Sequence, residues 1–110
     1  MFSTELKKGS IEMLILSLIE ARPRHGYEIG KLIESRSGGK LKFALPSLYP
    51  ALLRLENRGW IKGRWVEKAG ERQRCFYRLT AKGRRTLAQK QETWKEYTAA
   101  VDQIMGLHNA

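Results

Sequence analysis

Between residues 25 and 85 the chain changes its hydrophobic rhythm three times, and the order of those changes restricts the fold more than any other feature. Tyr27, Ile29, Leu32 and Ile33 recur at helical spacing and predict a helix over about Gly26 to Arg36. Ser37-Gly38-Gly39 breaks it, and Lys40-Leu41-Lys42-Phe43-Ala44 leads into a further helix over roughly Leu45 to Arg58. Leu48, Leu52 and Leu55 give that helix its apolar face, and Gly59 is placed as a C-cap. Pro46 suits a first turn, where its missing N–H is not needed. Pro50 either sits just past that turn with one backbone bond lost, or the regular helix begins nearer Ser47. The rhythm then shifts to two strands, Trp60 to Glu67 and Gln73 to Leu79, joined by the turn Lys68-Ala69-Gly70-Glu71-Arg72. Ile61, Trp65, Tyr77 and Leu79 are the expected packing positions. Helix, turn, helix and hairpin is the element order of a winged helix-turn-helix.

The flanking segments carry more apolar surface than such a unit needs. Ser10 is a plausible N-cap with Glu12 in the first turn behind it. Ile11, Met13, Leu14, Ile15, Leu16, Leu18 and Ile19 then cover most of a helix circumference before Pro23 ends the helix. Thr80 caps a final helix that extends toward Leu107. Leu87, Trp94 and Val101 are seven apart on it, as are Tyr97 and Ile104, and Lys90 interrupts the resulting seam. A domain this small cannot cover the whole stripe. A homodimer with Leu14, Leu18, Leu87, Trp94, Tyr97, Val101 and Ile104 at its interface is the simple resolution. The alternative is a stripe folded back on its own chain. The expected fold class is therefore mainly α with a small β-hairpin: a winged helix-turn-helix over residues 1–80 and a dimerisation helix over 81–110, as one compact unit.

Charge narrows the partner. With 110 residues the chain holds one domain, and 21 Lys and Arg against 11 Asp and Glu leave a net charge of +10. Residues 60–85 carry nine basic and two acidic side chains, so +7 of that +10 sits in under a quarter of the chain. This concentration suits nucleic acid. Cys75 is the single cysteine, so no disulfide forms within the chain. Cys75, His25 and His108 lack metal-ligand spacing, and no phosphate-cradling glycine loop or nucleophile–base pair is visible. No cofactor and no enzyme activity are expected. The run Ile11 to Ile19 is too short to span a bilayer and no small-residue cleavage site follows it, so a cytoplasmic protein without a membrane partner is expected.

The motifs resemble one family in combination. His25-Gly26-Tyr27-Glu28-Ile29, then Ser47-Leu48-Tyr49-Pro50-Ala51-Leu52 with Arg54-Leu55-Glu56, Gly59, and Tyr77-Arg78-Leu79-Thr80 with Gly83 are similar to the PadR family of transcriptional regulators. The opening Leu6-Lys7-Lys8-Gly9-Ser10-Ile11-Glu12 is similar too, and the likeness covers about residues 5 to 105. Ala44-Leu45-Pro46 departs from it, since members often carry an acidic or small polar stretch there. The short single C-terminal helix resembles the small subfamily, which implies a homodimer that represses transcription from a palindromic operator.

Candidate site residues follow from both readings. Ser47 and Tyr49 face either DNA or, for Tyr49, the preceding helix. Arg54 reaches DNA or pairs with Glu56 or Glu34. Lys40 and Lys42 are placed for backbone phosphates, and Lys68, Arg72 and Arg74 for a wing on the minor groove. The resemblance implies that Trp94, aided by Met13, lines a pore that sandwiches a planar, apolar, often cationic effector; the alternative is a filled dimer core. His25 is read as structural, and Glu28, Glu34 and Glu56 as exposed helix partners. A winged-helix interaction module binding an acidic protein is the competing function.

Overall fold

The computed structural model describes residues 9–107; Leu6, Lys7, Lys8 and His108 lie outside them. Among the described residues four helices and three strands follow one another as α1 (Ile11–Leu18), β1 (Arg24–His25), α2 (Gly26–Arg36), α3 (Leu45–Asn57), β2 (Ile61–Val66), β3 (Arg74–Leu79) and α4 (Ala81–Met105). The sheet is antiparallel with order β1-β3-β2. Its hairpin register runs from Ile61 opposite Leu79 to Val66 opposite Arg74. The fold is a winged helix, with a third strand added to the expected hairpin.

That extra strand is two residues long. Arg24 and His25 pair with Tyr77 and Phe76, a segment too short to show a period in sequence. It lies between the two expected helices, just past Pro23, and the first helix is itself shorter than expected, stopping at Leu18 and not at Pro23. Arg22 precedes a proline, which disfavours helical backbone there. The Arg24 side chain then closes the helix end: its Nε donates to the Leu18 carbonyl at 2.5 Å. The same buried guanidinium donates to Glu28 at 2.9 Å. Glu28 is half-buried, not an exposed helix partner, and it also holds Arg22.

The core is formed by Ile15, Leu16, Ile29, Leu48, Leu52, Leu55, Ile61 and Leu87, with Leu18 and Leu79 at its edge. Helix α1 packs against α2, α3 and α4 at once, which is why its apolar residues go almost all the way round. This corrects part of the expected dimer interface. Leu18 is 8% exposed and Leu87 1%, so both are used by the chain's own core, and Leu14 packs partly buried against that core. Counting the apolar circumference cannot tell a neighbour in the same chain from a second subunit.

Helix α4 is anchored at its start and bare beyond it. The Thr80 hydroxyl accepts the Gly83 N–H at 3.0 Å and donates to the Gly59 carbonyl at 2.6 Å. Past Leu87 the stripe is not folded back: Trp94, Tyr97 and Ile104 are 48%, 63% and 87% exposed. The chain is accordingly elongated, about 55 Å by 31 Å by 23 Å. Lys90, the intruder in the seam, places its amine 5.2 Å from the Trp60 ring centroid in a cation–π contact. No helix among the described residues is long and apolar enough to cross a membrane.

Candidate nucleic-acid interface

Helix α3 buries Leu48, Ala51, Leu52 and Leu55 and turns the rest outward. The helix begins at Leu45, so Pro50 lies inside it, with no N–H to offer the carbonyl four residues back. At helical spacing Pro46, Pro50 and Leu53 share the outermost line, with Ser47 and Tyr49 on its two flanks. The outward face is therefore more apolar than the expected small, aromatic and basic one. Leu53 is 59% exposed on it and was not anticipated. An apolar group there suits contact with a thymine methyl in a major groove.

Tyr49 packs against the preceding helix and keeps an exposed edge. Its ring lies against Gly26 of α2, where an added methyl would come within 3.1 Å, yet half of the side chain stays exposed. Tyr49 faces the wing across a groove of about 460 Å³ lined also by Leu45, Trp65, Arg72 and Arg74. Of the expected DNA contacts, the fold thus brings Tyr49, Arg72 and Arg74 together. Lys40, Lys42, Ser47 and Lys68 are exposed but do not line this groove. Lys42 is 3.5 Å from Glu34. Trp65, expected as a packing residue, is 65% exposed.

Arg54 is a correction. Its partner is neither Glu56 nor Glu34 but Glu12 of α1, with Nε 3.3 Å from the carboxylate, which Arg58 also meets at 2.8 Å. Glu56 instead accepts the Gly63 N–H at 3.0 Å and ties the wing to α3. These partners lie far apart in sequence or across a turn, where no local pattern announces them.

His25 joins the wing to the helix pair. Its Nδ1 accepts the Glu28 N–H at 3.1 Å as N-cap of α2, and its ring meets Phe76 edge-on at 5.2 Å. Arg74 brings a guanidinium nitrogen to 3.4 Å from both ring nitrogens, and its guanidinium lies 5.8 Å from the Tyr27 ring centroid. Burial, then the Arg74 charge, hold the imidazole below its ordinary value near 6.5, although Glu28 pulls the other way. Burial raises the Glu28 carboxyl, but the hydrogen bonds from Arg22 and Arg24 outweigh it and set the group below its usual 4.5. Both depressed groups lose stability toward acid. The His25 contribution is complete above 6.5 and declines as pH falls below it; the Glu28 contribution is complete above 4.5 and declines below that. The thermal midpoint should therefore fall in two steps as pH drops. His25→Asn, which keeps a capping acceptor but does not titrate, should remove the step nearer neutrality, as read by melting curves across pH.

A separate open groove of about 1010 Å³ is lined by α1, the end of α3 and α4. Met13 and Trp94 line it together with Trp60 and Tyr97. The Trp94 and Tyr97 rings are 6.4 Å apart.

Comparison with known proteins agrees with this architecture along almost the whole chain. Residues 15–89 match the model of the transcriptional regulator PadR-like family. The structure of a transcriptional regulator from Clostridium thermocellum is 30% identical, covers 94% of this chain and 97% of its own, and superposes with a TM-score of 0.85. A PadR family transcriptional regulator from Eggerthella lenta is 28% identical over 94% of this chain and 88% of its own, with a TM-score of 0.82. An uncharacterized protein of Lysinibacillus sphaericus is 28% identical over 105 residues, 96% of each chain. With more than half of its length matched by the family model, the chain belongs to the transcriptional regulator PadR-like family, and is a DNA-binding regulator of transcription rather than an enzyme.

Proposed function

We propose that the protein is a homodimeric, ligand-responsive repressor. The observation that carries this reading is the distal half of α4, where Trp94, Tyr97 and Ile104 stand exposed on one stripe beyond the reach of the chain's own core. A second copy covers that stripe and fixes two α3 helices at a set spacing, as a palindromic operator requires. The wing residues Lys68, Arg72 and Arg74 then contact phosphates on the flanks of each half-site.

The groove at Met13 and Trp94 lies beside this seam, so a planar apolar effector held there would shift the spacing between the reading heads and change operator affinity. Arg58, Lys82 and Lys90 line the groove and none of its described lining residues is acidic, which favours a neutral or anionic ligand over a cationic one. Quenching of tryptophan fluorescence by a panel of planar dyes of both charges tests that preference.

Sedimentation and gel shift test the main reading. We expect a dimer that prefers the DNA upstream of its own gene over random duplex. Its affinity should fall linearly with log salt, and Arg72→Ala should reduce the log–log slope by about one unit per copy of the wing engaged. A lone subunit with no preference among duplexes refutes the proposal.

A further inference from the structure

We infer that Trp65 is a DNA-contacting residue of the wing, its indole packing on the sugar–phosphate strand that runs between α3 and the hairpin. The inference rests on the DNA-binding reading above. Trp65 lies two residues past Gly63 and four past Ile61 on β2, so the three share one side of the strand. Ile61 is 1% exposed beneath α3, and Gly63 is held by Glu56. At Trp65 the strand and helix part, and the indole faces the groove opposite Leu45 and Tyr49.

A tryptophan left 65% exposed keeps a large apolar surface in water. Its surroundings identify what covers it. Arg72 and Arg74 stand at the rim of the same groove, and residues 60–85 carry +7. A second copy meeting it wing to wing would bring an equal positive charge and be repelled. A polyanion is attracted, and DNA offers an apolar unit beside each charge in the face of its deoxyribose. Arginine on the phosphate and indole on the sugar would hold one strand of the duplex by both of its chemistries. Such a contact positions the protein without reading a base, so it acts on any sequence.

The contact differs measurably from an ionic one, because packing on a sugar releases no counterions. With a mixed-sequence DNA duplex, Trp65→Ala should weaken binding about tenfold while leaving the salt slope unchanged. Trp65→Phe should retain most of the affinity, and Arg72→Ala should lower the slope. Fluorescence supplies a second readout that needs no truncated side chain. Duplex should quench the wild type and leave the Trp65→Phe protein far less affected. Wild-type affinity in Trp65→Ala, a slope reduced as in Arg72→Ala, or equal quenching of both proteins would overturn the assignment. If the wild type binds no duplex, the DNA-binding reading itself fails, and the assignment with it.

Discussion

Replacing Gly83 by alanine should unfold the protein at moderate temperature, although alanine is the better helix former. Position 83 lies in the first turn of α4, where glycine to alanine ordinarily gains up to about 1 kcal/mol. Here a methyl would sit 1.9 Å from the Trp60 carbonyl oxygen and 2.8 Å from its carbon. Neither can yield easily. That carbonyl accepts the Thr80 N–H at 3.1 Å, the Trp60 N–H is held by the Leu55 carbonyl, and the Thr80 side chain is fastened to Gly59. The substitution must push α4 off the sheet, and with it Leu87, which is fully buried in the core. We expect a loss of about 3 kcal/mol or more, since overpacking against backbone exceeds the cost of crowding a flexible side chain. For a domain of this size that lowers the melting midpoint by more than about 10 °C. Gly9→Ala, with nothing within 4 Å of the added methyl, is the matched control and should leave the midpoint nearly unchanged. A Gly83→Ala protein that melts with the wild type would mean that the α4–sheet junction is not the close contact described.

Gly83 also illustrates what the sequence could and could not reveal. Its place in a motif was visible, but the carbonyl it makes room for belongs to Trp60, more than twenty residues earlier. The helices α2 and α3 and the hairpin were legible because each repeats its period over several residues, and Ser37-Gly38-Gly39, Gly59 and Thr80 punctuate them. The strand β1 was not, since two residues make no period. The ion pairs were equally hidden: Glu12 with Arg54 and Arg58 joins helices more than forty residues apart, and Arg24 is buried only because α1 stops short. Among the candidate contacts, Tyr49, Arg72 and Arg74 meet at one groove. Trp65 was misread because alternation assigns a side of a strand but does not say how far the covering helix extends along it. Leu18 and Leu87 were misread for the complementary reason, that an apolar stripe does not name its partner.

The exposed half of that stripe permits the second large expectation. Tyr97→Asp together with Ile104→Asp should abolish the proposed dimer while leaving the monomer fold intact. Both side chains are mostly in water in the single chain, at 63% and 87% exposure, so a carboxylate there costs the monomer little. At a seam between two copies the same carboxylates would be desolvated and set near their symmetry mates, a cost of several kcal/mol without compensating partners. Sedimentation should then report a single subunit, with a helical circular dichroism spectrum retained at low temperature. Operator affinity should fall by about 10²- to 10⁴-fold, because the second half-site is no longer engaged at the effective concentration that linkage provides. The salt dependence should flatten as well, since each molecule carries one wing to the DNA where the dimer carries two. Ala99→Asp, exposed two residues past Tyr97 on the same helix but off the stripe, adds the same charge and should change neither association nor affinity. If the doubly substituted chain still sediments as a dimer, the two copies meet elsewhere, and the spacing of the reading heads must be set by a different surface.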